Sequence, residues 1–181
     1  GLITKARIVY IYDGDTVTIV FYFHNMPFKD SLRIVGYDSP EIKPRKDIQN
    51  RNLHITAAKH IKEFLKNKLL NQIVWVRFAQ EEKYGRLMGE IYLINSNSKN
   101  KFIGNEECIN QLMVGNGFGK QYGGGHKSEF TDIELNKIKK LSILKQIYPV
   151  SIFLLLFLQL LLPIVDKLDC PSILNHEVVH L

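Results

Sequence analysis

Apolar and polar residues alternate through "KARIVYIYDGDTVTIVFYF", residues 5–23, in the period-two rhythm of β-structure. The Asp13-Gly14 pair inside that run predicts a tight turn between two strands, with Gly14 accepting a positive φ and Asp13 tolerating one. "HNMPFKD" (24–30) reads as a connection holding a turn pair, and "SLRIVGY" (31–37) as a third strand, so the chain opens as an antiparallel meander. The proline-bearing "DSPEIKPRKDIQN" (38–50) is a loop. From Leu53 the spacing changes: Leu53, Ala57, Ile61, Phe64, Leu65 and Leu69 repeat at helical intervals, with Lys59, Lys62 and Lys66 on the outer faces.

"QIVWVRFA" (72–79) and "GRLMGEIYLI" (85–94) predict two more strands, followed by a surface loop, "NSNSKNKFIG". Asn105 is placed to cap a helix over "EECINQLMVGN", whose two leading glutamates suit the helix dipole. Beyond Gly123–Gly125, a third helix is expected over 128–146 with Phe130, Ile133, Ile138, Leu141 and Leu144 turned inward. The order is β-β-β-α-β-β-α-α. Five mostly antiparallel strands without long exposed edges favour closure, which predicts an α+β, mainly β class: a five-stranded OB-fold barrel with three helices.

Composition adds a division of charge. The net formal charge is +6, but residues 1–148 carry +8 and residues 149–181 carry −2. A basic body suits a polyanionic partner, nucleic acid or an anionic membrane face, and the charge is equally compatible with an ordinary solvated surface. Two cysteines, Cys108 and Cys170, exclude both a disulfide framework and a cysteine-rich zinc cage; Cys108 sits in an apolar helical pattern as a small buried thiol. The expected organisation is a folded domain over 1–148 and a hydrophobic tail over 149–181.

That tail contains "IYPVSIFLLLFLQLLLPIV", residues 147–165. From Val150 to Val165 it is roughly 24 Å long as a helix, short of the ~30 Å hydrocarbon core of a bilayer, and Pro149, Gln159 and Pro163 weaken the span. A membrane anchor is the favoured reading, against a helix packed on another protein or an end without a fold of its own. The closing "NHEVVHL" matches H-E-x-x-H, with His176 and His180 as zinc ligands and Glu177 as base. The chain stops one residue later without a third ligand downstream; Asp169 or Cys170 would have to complete the site, and coincidence is the simpler account.

The turn at 12–15 does not account for Asp15, an acid that opens a run of β-formers where it is locally unfavourable. A second acidic element stands at "LRIVGYDSPE", where Pro40 stiffens the loop carrying Asp38 and Glu41 and Arg33 lies on the preceding strand. Two carboxylates suit a hard cation that also takes carbonyl and water oxygens. Arg33 and Arg86, the latter in "EKYGRLMGEIYL", are the two guanidiniums that a charged phosphoryl group requires.

Taken in order, "DGDTV", "LRIVGYDSPE", "KYGR" and "INQLMVGNGFGKQY" resemble the thermonuclease, or staphylococcal-nuclease-like, family over residues 5–148. The resemblance implies a calcium-dependent endonuclease that hydrolyses phosphodiester bonds of DNA and RNA by metal-assisted in-line attack of water, leaving 3′-phosphate ends. It implies Asp15 and Asp38 as metal carboxylates, with Ser39 lending its backbone carbonyl, Glu41 as general base or water-orienting group, and Arg33 and Arg86 as phosphate binders. Lys83 and Tyr84 match a pair beside the terminal phosphate. Thr16 belongs to the first motif, though a strand-forming threonine explains it equally well; Asp13 is either an outer acid near the metal or a turn residue. The family often carries a base-stacking aromatic just after "GKQY"; here glycines follow, and Tyr122 stands in. Lys43, Arg45 and Lys46 lie in a loop that either clamps substrate or is merely solvated. The link between the second and third strands is four residues longer than the family leads one to expect. The domain is expected to be monomeric. The rival expectation is a non-catalytic nucleic-acid-binding module, as in Tudor-linked relatives that lost their acids; the full set of acids and arginines here argues for an enzyme.

Overall fold

The computed structural model describes residues 1–79 and 86–147. Residues Gly1–Ser142 form one compact unit. Its centre is a closed barrel of five strands: β1 (Ile3–Ile11), β2 (Thr16–Phe23), β3 (Met26–Ile34), β5 (Ile73–Phe78) and β6 (Leu87–Leu93), in spatial order β1-β2-β3-β6-β5. All barrel pairs are antiparallel except β3–β6, a short parallel contact from Leu32–Leu87 to Ile34–Gly89 that closes the cylinder. A two-stranded ribbon, β4 (Gly36–Asp38) against β7 (Lys120–Tyr122), stands beside it: the third strand expected over 31–37 divides at Val35 into the end of β3 and β4, and β7 has no counterpart in the sequence pattern, because a three-residue strand carries no periodicity to read. Three helices complete the fold: α1 (Arg51–Leu69), α2 (Ile109–Gly115) and α3 (Asp132–Ile147).

The barrel closes because alternate residues face inward together. Ile8, Ile19, Leu32, Ile34, Val74, Val76 and Ile91 are fully buried, and each contributes about 1.5–3 kcal/mol by leaving water. Helix α1 adds Ala57, Ile61, Leu65 and Leu69 to the same core, with Leu53 and Phe64 packed at its margin, the face expected from the spacing.

Several local expectations are corrected. The connection 24–30 is almost all strand: only His24 and Asn25 turn, both with positive φ as a two-residue hairpin needs, and β3 begins at Met26. The extra length of that link therefore lies in paired strands. Helix α2 starts at Ile109, after Cys108, and not under an Asn105 cap; Glu106 instead folds back to accept the Ile103 and Gly104 N–H groups, which holds its carboxylate below the usual range against the cost of burial. Helix α3 starts at Asp132, where Thr131 and Glu134 form a reciprocal capping box. Among its described side chains Leu135 and Ile138 are buried, whereas Ile133 is 82% exposed. Among the described residues no helix is long and apolar enough to cross a membrane. Most of the segment 147–165, together with Asp169, Cys170, His176, Glu177 and His180, lies outside the described residues, as do Lys83, Tyr84 and the side chain of Leu144.

Candidate active site

The Asp-Gly-Asp turn between β1 and β2 is built by close approach, not by an unusual backbone. Gly14 does not have a positive φ, contrary to expectation. A Cβ at Gly14 would sit 2.5 Å from Ser39 Oγ, 2.8 Å from Ser39 Cβ and 2.9 Å from Ile61 Cγ2, so only glycine lets this turn lie against the loop after β4 and against α1. Tyr37, fully buried on β4, donates its hydroxyl to the Gly14 carbonyl at 2.7 Å. Burial, and then the charges of Asp15 and Asp13, push the Tyr37 phenol well above its ordinary range, so it stays a donor. The Ile34 N–H reaches the Asp15 carbonyl at 2.7 Å. Two segments distant in sequence are thereby fastened at one end of the barrel.

Asp15, Arg33 and Asp38 converge there. A single guanidinium nitrogen of Arg33 lies 3.0 Å from Asp15 Oδ2 and 3.1 Å from Asp38 Oδ1, and the three side chains are 5–10% exposed. The Thr16 hydroxyl donates to Asp15 Oδ1 at 2.8 Å, which gives Thr16 a site contact as well as its strand role. Asp13, also buried, accepts the Asp15 backbone N–H at 3.1 Å in an Asx-type turn. Burial and the neighbouring Asp13 push the Asp15 carboxyl up to about 7, against the opposing pull of Arg33 and the Thr16 hydrogen bond. The raised value reflects first the burial of Asp15 and then its closeness to Asp13.

An open cleft of ≈ 570 Å³ is lined by Tyr12, Asp13, Asp15, Thr16, Ser31, Arg33 and Arg86 from the barrel strands and the turns beside them, and by Glu41, Tyr122 and Lys127 from the ribbon and the outer loops. Arg86 stands immediately before β6, whose first residue pairs with β3, so the barrel closure carries it to the cleft. Tyr122, at the end of the ribbon, donates its hydroxyl to the Gly125 carbonyl. Ser39 is buried beneath Asp38, with its side chain against Gly14. Of the basic loop residues, Arg45 pairs with Asp47 at 3.6 Å in solvent, and Pro44 and Ile48 border a smaller pocket that Glu41 shares.

One participant carries no sequence signal. Lys127, just past the three glycines, places its ammonium 2.6 Å from Asp38 Oδ1 and 3.1 Å from Glu41 Oε1. Burial lowers its affinity for a proton, but the hydrogen bonds and charges of Asp38 and then Glu41 outweigh that and raise it, so Lys127 is cationic. Among the described residues no group of three or more His, Cys, Asp or Glu forms a ready-made metal cage. Asp15 and Asp38 nevertheless converge on one guanidinium nitrogen, which brings two hard oxygen donors together of the kind a divalent cation takes alongside carbonyl and water oxygens.

Comparisons with known proteins bear on the family and the fold. The family model described as staphylococcal nuclease homologue matches residues 31–142, more than half of the chain. That match contains Arg33, Asp38, Glu41 and Arg86; Asp13 and Asp15 precede it and join the site through the fold. An uncharacterized protein of Methanocaldococcus jannaschii, MJ1439, is 32% identical over 119 residues, which cover 58% of this chain and 55% of that protein. The chain spans about half the length of that relative.

Proposed function

The chain belongs to the staphylococcal nuclease homologue family, and from that premise we propose that it is a calcium-dependent endonuclease that hydrolyses phosphodiester bonds of DNA and RNA to leave 3′-phosphate ends. The observation that carries the reading is the cleft lined by Asp15, Arg33, Arg86 and Glu41, with the buried Asp38 joined to it through Arg33 and Lys127.

Asp15, Asp38 and the Ser39 carbonyl are the groups that would hold calcium, and Asp15 gains most from its arrival, because its buried carboxylate is otherwise hard to ionise. Bound calcium would supply Lewis-acid polarisation of the scissile phosphate. Arg33 and Arg86 grip the phosphoryl oxygens and neutralise the charge that grows on them during attack. Glu41, more exposed than the buried acids, accepts a hydrogen bond from the attacking water or takes its proton. Lys127 leaves Asp38 for that water to be placed, and Tyr122 offers a ring at the opposite rim for a base. Lys83 and Tyr84 belong beside the terminal phosphate in this reading.

Plasmid digestion with calcium, then with a chelator, tests it. Cutting that stops on chelation is the expected result. Cutting that ignores chelation would remove the metal from the mechanism, and retained DNA binding without any cutting would make the domain a binding module.

A further inference from the structure

The outward face of β1, β2 and β3 leads away from the cleft, and its side chains are set by strand register. Cross-strand partners share a face, so the pairings Thr16–Arg33, Tyr10–Thr18–Ser31, Arg7–Val20–Lys29 and Tyr22–Pro27 form four successive rungs on that one face. The first two rungs are in the cleft wall itself, through Thr16, Arg33 and Ser31. From Thr16 to Tyr22 the strip extends roughly 20 Å at ~3.4 Å per residue.

Tyr10 is on this face because of a fold irregularity. The β1–β2 register shifts between Ile8 and Tyr10. Without that bulge Tyr10 would follow Ile8 into the core; with it, Ile11 goes in and Tyr10 comes out, the re-aiming that bulges produce. The result is an aromatic ring 51% exposed, with Lys62 of α1 at 5.3 Å from its centroid. Tyr22 at the far end is 67% exposed. Arg7 and Lys29 are exposed between them, and the acid next to Lys29, Asp30, pairs with Ile19 and so points to the opposite face.

Rings presented to solvent at intervals, separated by cations and small hydroxyls, match the two demands of a single polynucleotide strand: a π-face for bases and positive charge for phosphates. We propose that this strip is a binding track for single-stranded nucleic acid, with Tyr10 and Tyr22 as stacking platforms and Arg7 and Lys29 as phosphate contacts. The track feeds a strand into the cleft, and in that respect it rests on the nuclease reading above.

The test is fluorescence anisotropy of labelled (dT)12 and (dT)3 with the full chain in chelator, where no cutting competes. The wild type is expected to bind the 12-mer more than tenfold more tightly than the trimer. Stacking on one ring is worth about five- to sixfold or more per base, so Tyr10→Ala with Tyr22→Ala should weaken 12-mer binding by about thirtyfold or more and erase most of the length advantage. Tyr10→Phe with Tyr22→Phe should keep it, since the π-faces remain. Arg7→Gln with Lys29→Gln should flatten the salt dependence by roughly 0.7 for each phosphate no longer neutralised. A double alanine variant that melts like the wild type and binds the 12-mer within twofold of it would overturn the track. Weakened binding in a chain that never cuts would uphold the track and bring down the nuclease reading; cutting with unaltered 12-mer binding would do the reverse.

Discussion

The two sides of the cleft are made differently. On the barrel side, Asp15 and Arg33 sit at barrel strand ends and Asp38 joins them from the end of the ribbon strand β4; all three are at most 10% exposed, and they are fixed by Tyr37, Thr16 and the Asp15–Ile34 backbone bond. On the outer side, Glu41 and Lys127 project from loops, 55% and 43% exposed, and hold mainly each other and Asp38. Preorganised dipoles and charges are effective where they need no rearrangement during the reaction. The barrel side is therefore suited to fixing metal and phosphate, and the loop side to groups that must change partners, a base and a displaceable cation.

Breaking the barrel side should have the largest effect. Arg33→Met removes the guanidinium that touches both Asp15 and Asp38, and leaves buried carboxylates uncompensated. Losing one partner of such a buried arrangement costs about 3–5 kcal/mol, so melting in chelator should fall by about 10 °C, with activity abolished. Calcium should restore part of the melting temperature, and a variant as stable as the wild type would contradict the buried cluster's structural role. Arg86→Ala separates catalysis from stability: turnover should drop about a thousandfold, the scale of losing a charge-stabilising donor, while melting stays near wild type. Steady-state kinetics on plasmid checks this, and unchanged turnover would take Arg86 out of the chemistry.

The loop side should respond more moderately. Glu41→Gln should lower turnover by about 10²–10³ as a lost base or water anchor without loss of stability, because the side chain is largely solvated. Retained turnover would leave Glu41 outside the mechanism.

Legibility in the sequence follows the same division. The barrel side is readable because its parts are local: an acid that a turn does not require at Asp15, and an arginine and acid flanking a proline-stiffened strand end at Arg33 and Asp38. The five strands and α1 are readable for the same reason, each being long enough to display a period. What escapes depends on contacts between distant segments. The purpose of Gly14 lies in Ser39 and Ile61, not in its own φ. Gly119 likewise exists to clear the Tyr37 ring, which a Cβ would overlap. Lys127 meets Glu41 across 86 residues, with nothing nearby in sequence to mark it. Asn110, in sequence only one letter of a motif, donates to the Val35 carbonyl and accepts the Ile91 N–H, tying α2 to the base of the ribbon and to β6.

Proton binding sharpens the contrast further. In the absence of metal the Asp15 carboxyl titrates near 7, against an ordinary 3.8. Between those values the folded apo protein holds a proton that the unfolded chain has lost, so this group's contribution to stability is full below about 4 and is lost as pH rises through 7. If calcium binds as proposed, it would have to expel that proton. Calorimetric titration at pH 6 in buffers of different ionisation enthalpy should report release of close to one proton per ion, and calcium affinity should increase with pH up to about 7. Release of none would mean that Asp15 is not a ligand.

The smallest effect expected is also the most direct reading of the loop side. Lys127 places a positive charge on Asp38, where an incoming cation must compete with it. Lys127→Gln removes that competitor without adding charge, so calcium should bind roughly three- to tenfold more tightly, as expected for a half-exposed ammonium near the site screened by solvent. Lys127→Arg keeps a cation and should leave affinity near wild type. Stability should hardly change in either variant, because the ammonium is 43% exposed. Titration calorimetry separates the outcomes: weaker binding in Lys127→Gln would mean that the lysine positions the acids for the metal and does not exclude it, which would place Lys127 with the fixed side of the cleft.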